Sequence, residues 1–117
     1  MKKSFFFGLF GALCMLFMTG CGPLNEPPIS VTWRTSLLNS NSNVMQVTNR
    51  SSRETLVLHL HVESRERSEK ATYTFKVAPG DTEEIGILEM GWQFMPGEEY
   101  SIEADGYILS VDGTVPR

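Results

Sequence analysis

Four aliphatic residues spaced two apart, Leu56, Leu58, Leu60 and Val62, alternate with Val57, His59, His61 and Glu63. Side chains on a β-strand point to opposite faces in turn, so a period of two marks a strand with one buried face. The same period runs through most of residues 29–111. Ile29, Val31, Trp33, Thr35 and Leu37 share one register, as do Tyr73, Phe75 and Val77, then Ile85 and Ile87, then Tyr100, Ile102 and Ala104. No stretch of this region carries a helical period. Short strands are expected over 29–37, 44–48, 55–63, 70–78, 82–88, 98–104 and 107–111, with 112–117 as a frayed tail.

The breaks between these runs have their own chemistry. Residues 39–43 (NSNSN) and 65–69 (RERSE) are polar. Pro79-Gly80 and Pro96-Gly97 pair a residue that presets φ with one that accepts φ > 0, and Asp105-Gly106 suits a tight hairpin. Asn49, in the formal glycosylation triplet Asn49-Arg50-Ser51, reads as a turn residue. Trp92 and Phe94, in the irregular apolar segment 89–96, are expected to plug one end of the core. About seven strands at eight-to-twelve-residue spacing predict an all-β fold, a small immunoglobulin-like β-sandwich.

Residues 1–28 are of another kind. Lys2 and Lys3 precede an uncharged, Phe- and Leu-rich run over 4–18, followed by Thr19-Gly20-Cys21. Charge, apolar run and small residues in that order describe a secretory signal peptide. As a helix, residues 5–18 would span roughly 21 Å, short of the ~30 Å hydrocarbon core of a bilayer. Residues 22–28 (GPLNEPP) hold three prolines and form a tether reaching at most ~25 Å.

Met18-Thr19-Gly20-Cys21 resembles the lipobox of bacterial lipoproteins, with Met18 standing where Leu, Val or Ile is usual. The resemblance implies that signal peptidase II removes residues 1–20 and that Cys21 carries the lipid. Residues 21–28 then become the lipidated tether and 29–117 the sandwich domain. Such a protein is held at the cell envelope by three acyl chains. Gly22 after the cysteine implies the outer membrane, facing the periplasm, if the cell is Gram-negative. Met95-Pro96-Gly97-Glu98-Glu99-Tyr100-Ser101-Ile102 is similar to a segment of fibronectin type III domains, and Ser30-Val31-Thr32-Trp33 to their early Trp-bearing strand. That likeness implies an immunoglobulin-like plan with Tyr100 at the tyrosine-corner position.

Cleavage would remove Lys2, Lys3 and Cys14, leaving eight basic and fourteen acidic residues, a net charge of −6. Such a chain lacks the clustered Lys and Arg that nucleic acid requires. With Cys21 lipidated no thiol remains for a disulfide, so packing alone must hold the domain. The charge is also lopsided, with seven basic and four acidic residues over 29–77, then nine acidic and no basic residues over 78–116. A strong dipole suited to a basic partner is one expectation, and acidic strands that solubilise the sheet are the plainer one.

His59, His61 and Glu63 form the one pattern with metal-ligand character, since alternate strand residues project to one side. The plainer reading is a solvated outer face whose polar residues keep the sheet soluble, and a partner-contact face whose charge follows pH is a further one. Asp105-Gly106 and Asp112-Gly113 lack the dense spacing of calcium loops. There is no G-x-S-x-G, no phosphate-binding glycine loop and no free thiol for nucleophilic chemistry. The expected function is a non-enzymatic, lipid-anchored binding or structural module of the cell envelope. It would need no cofactor and would contact the membrane and an envelope protein partner. The alternative is an envelope metal-binding protein using His59, His61 and Glu63.

Overall fold

A computed structural model describes residues 26–37 and 42–117. The expected signal peptide, the expected lipidation site Cys21, the first part of the expected tether and residues 38–41 lie outside the described residues. Seven strands follow: β1 (Ile29–Thr35), β2 (Asn43–Asn49), β3 (Leu56–Ser64), β4 (Glu69–Val77), β5 (Thr82–Ile85), β6 (Glu99–Ala104) and β7 (Val111–Thr114), with a one-turn helix α1 (Ile87–Met90) after β5. They form two antiparallel sheets, β1-β2-β5 and β4-β3-β6-β7. The fold is therefore an all-β sandwich. In immunoglobulin constant domains the fourth strand joins the first, second and fifth. Here β4 stays hydrogen-bonded to β3 along its whole length, from Leu56–Val77 to Ser64–Glu69.

The core lies where the alternation places it. Leu56, Leu58, Leu60 and Val62 are buried, facing Met45 and Val47 of the other sheet, with Phe75, Val77, Ile85, Ile102 and Ala104 around them. One end is closed by aromatic rings. Trp33 meets Phe94 edge-on at 5.4 Å and Tyr100 at 5.6 Å, and Trp92 is also buried. Tyr100 has a second duty. It lies opposite Gly113 in the β6–β7 ladder, and a Cβ on Gly113 would come within 2.8 Å of its ring. The glycine is there because the tyrosine ring covers it.

Beneath Trp92 sits an ion pair with a buried carboxylate and a partly exposed guanidinium. Glu98, 6% exposed, accepts hydrogen bonds from Arg67 Nη2 at 2.6 Å, Trp92 Nε1 at 3.1 Å and the Met95 amide at 3.0 Å. The Arg67 guanidinium also lies 4.5 Å from the centre of the Trp92 ring. A buried carboxylate is tolerated when several donors and a cation surround it. This cluster locks the β3–β4 turn to the loop before β6.

The Pro-Gly turns form as their residues dictate. Asp81 N donates to Ala78 O and Glu98 N to Met95 O, with Gly80 and Gly97 at φ +76° and +91°. Three expectations are corrected. The strand expected over 82–88 ends at Ile85, because Glu89 Oε1 accepts from Gly86 N at 2.7 Å and Gly91, at φ +71°, closes a helical turn. Ile87 is consequently exposed. The last strand is Val111–Thr114 rather than 107–111, and the tail does not fray. Val115 is buried, donating to Glu98 O and accepting from Gly97 N. Asn49 serves the turn as expected, its Oδ1 accepting from Ser51 N at 2.9 Å, and is in addition the fully buried end of β2. The first strand stops at Thr35, and Leu37 points into solvent.

Two substitutions test this packing. Leu58→Ala should cost about 2–5 kcal/mol by lost burial and a residual cavity. Gly113→Ala should also lower the denaturation midpoint, because the Tyr100 ring must move. Unchanged chemical denaturation of both variants would contradict the assigned core.

Candidate functional site

The two outer faces of the sandwich differ in kind. On the three-stranded sheet, polar side chains bond to one another across the strands. Arg34 grips Glu84 with two hydrogen bonds of 2.8 and 3.1 Å, and Gln46 Nε2 donates to the same carboxylate at 2.8 Å. Hydrogen bonds from Arg34 and then Gln46 hold the Glu84 carboxyl down at about 2. Thr32 bonds Gln46, and the Thr48 and Thr82 hydroxyls lie 2.7 Å apart. That face is closed by its own network.

The outer face of the four-stranded sheet is a groove of about 590 Å³. Lys70 and Thr72 of β4, His61 and Glu63 of β3, Glu99 and Ser101 of β6, and Asp112 and Thr114 of β7 line it. Alternation explains the lining, since each strand turns one set of alternate side chains into the core and the other set here. The carboxylates Glu63, Glu99, Glu103, Asp105 and Asp112 sit on or beside this face. Asp112 is held below the ordinary carboxylate range by hydrogen bonds from Ser110 and Ser101. Tyr100, beneath the groove, has its hydroxyl pKa raised by burial and by the Asp112 charge.

His59 and His61 are placed as the alternation requires, side by side on this face, but each already has a carboxylate partner. His59 Nε2 lies 2.9 Å from Asp105 Oδ1 and its Nδ1 lies 3.0 Å from Thr74 Oγ1. His61 Nε2 lies 3.2 Å from Glu103 Oε1. Glu63 is further along the strand, in register with Lys70 on one side and Glu99 on the other. Among the described residues no group of three or more His, Cys, Asp or Glu side chains is placed to hold a metal ion. The sequence does not single out Glu103, and it marks Asp105 only as a turn residue. Their outward placement could be read from the period of two, but pairing them with the histidines requires the β3–β6 register.

The lopsided charge of the linear chain does not survive folding as two separate poles. The strand order sets acidic β5 beside β2 and acidic β6 beside β3. Arg34 then pairs with Glu84, Arg65 with Glu99 and Arg67 with Glu98. What remains is local: an acidic groove on one sheet.

Searches against protein-family models, curated proteins and solved structures find no significant match to this chain. The site must therefore be read from its own chemistry. It offers hydrogen-bond acceptors and negative charge over a concave polar surface, which suits a cationic partner more than a small apolar ligand. Titrating Zn²⁺ into the protein should show no saturable binding at micromolar metal. Saturable binding that His59→Ala removes would establish the metal reading instead.

Proposed function

We propose that this protein is a lipid-anchored, non-enzymatic module of the bacterial cell envelope that binds a basic segment of another envelope protein. One observation carries the binding surface: the groove on the outer face of β4-β3-β6-β7 sets Glu63, Glu99 and Asp112 against the lysine Lys70, whereas on the opposite outer face Arg34 and Gln46 together cover the Glu84 carboxylate. The anchor rests on the lipobox resemblance at residues 18–21 and on the short tether. Acyl chains at Cys21 hold the domain at the bilayer, because two or more chains give stable attachment. A partner is then sought among proteins of the same membrane, and complementary charge orients the encounter.

The test is site-specific photo-cross-linking in cells. A photoreactive residue at Thr72, in the groove, should trap one discrete partner, and the same residue at Thr32, on the other face, should not. Glu63→Lys should reduce the yield from Thr72, and Cys21→Ser should abolish it by releasing the protein from its membrane. Equal trapping from both faces, or trapping only from Thr32, would contradict the assigned surface.

A further inference from the structure

The hydrogen-bond ladder shows which parts of the fold share one pole. At the start of β1, Ile29 N donates to Pro27 O at 2.8 Å and Arg50 N to Pro28 O at 2.7 Å. The tether therefore enters at the end of the sandwich where Asn49 sits. Asn49 O accepts from Gly80 N, and its side-chain Nδ2 donates to Val77 O and Glu54 O. Val77 pairs with Leu56, and one residue on, Val57 O accepts from Asp105 N at 3.1 Å. The β6–β7 hairpin thus turns at the same pole as the tether. Tyr107 N closes that turn by donating to Ala104 O at 3.1 Å.

The hairpin carries an apolar tip that the fold does not use. Ile108 is 78% exposed and Leu109 42% exposed, directly after Tyr107. Two large aliphatic side chains at a turn tip cost solvation unless another surface takes them. An aliphatic pair next to a tyrosine is the composition that settles at a bilayer interface, with the phenol at headgroup level and the aliphatic groups below it. Chain length supplies the occupant. From Cys21 to Ile29 there are eight residues, a reach of at most ~28 Å, so an acylated Cys21 keeps this pole near the lipid. The pole carries both signs of charge, Arg50 and Arg53 with Glu54 and Asp81, so the contact is apolar and does not require anionic lipid.

Resting on the lipid-anchor reading above, we propose that Ile108 and Leu109 form a second membrane contact, inserting at the bilayer interface beside the tether. With the acyl chains already supplying attachment, the hairpin sets orientation. Two contacts on one pole stand the sandwich upright. The acidic groove then faces sideways along the membrane, and α1, with exposed Leu88, points away from it.

The test uses the full lipidated protein in phosphatidylcholine vesicles with and without brominated acyl chains. Ile108→Trp should show a blue-shifted emission that brominated lipid quenches, above the background of Trp33 and Trp92 in the parent. Leu37→Trp, on a 93% exposed residue at the opposite pole, should show neither change. The mass of the N-terminal peptide from the same preparation reports acylation of Cys21. Acyl chains present with Ile108→Trp unquenched would overturn the hairpin contact and leave the anchor standing. Absence of acyl chains would overturn both. Quenching of Leu37→Trp instead would invert the orientation and reject the proposal.

Discussion

The side-chain amide of Asn49 is the contact on which the sandwich most depends. It is fully buried at the end of β2, in the three-stranded sheet, yet donates to the Val77 carbonyl of β4, in the four-stranded sheet, and to the Glu54 carbonyl in the loop between. Its Oδ1 accepts from Ser51 N at 2.9 Å. Its backbone pairs with Gly80 and Asp81 at the β4–β5 turn. One residue therefore joins both sheets, two connections and the strand that follows the tether. With only Cys14 and Cys21 in the chain, hydrogen bonds of this kind do what a disulfide does in many small extracytoplasmic domains. Losing the donor would leave the buried Val77 carbonyl unsatisfied, at a cost of about 1–3 kcal/mol.

Much of the fold was legible because β3, β4 and β6 each keep a strict alternation over at least three apolar positions. Leu56 to Val62, Tyr73 to Val77 and Tyr100 to Ala104 all face inward as the period requires. The failures share a cause. Ile85 and Ile87 continue the period, but the Glu89 carboxylate and Gly91 impose a turn of helix that the apolar spacing does not register. Val111–Thr114 has one apolar residue in four, so nothing in its pattern separates a strand from a tail. It is placed by the Tyr100 ring over Gly113 and by burial of Val115. Asn49 does make the local bond of a turn residue, to Ser51 N two residues on, but its other partners lie 5 and 28 residues away, where local patterning does not reach.

The candidate site was half legible. His59, His61 and Glu63 do share a face, but the imidazoles are occupied by Asp105 and Glu103 through a register that sequence alone does not supply. Charge behaved similarly. A chain that is basic first and acidic later becomes a domain of paired charges, because the strand order sets late strands beside early ones. Lys70 and Lys76, exposed along the edge strand β4, discourage pairing of that edge with another copy. The groove runs from that edge across to β7, with three carboxylates, Glu63, Glu99 and Asp112, beside Lys70.

Anchor, upright pole and lateral groove amount to one claim about which surfaces are covered in the membrane. Hydrogen exchange of the full-length protein, compared between a bacterial membrane fraction and a detergent extract, tests that claim most directly. The account predicts added protection in the membrane fraction at the β6–β7 turn and along β4 and β7, the margins of the groove, with β1, β5 and α1 unchanged. Added protection on β1 and β5 with none at the groove, or identical exchange in both settings, would contradict it.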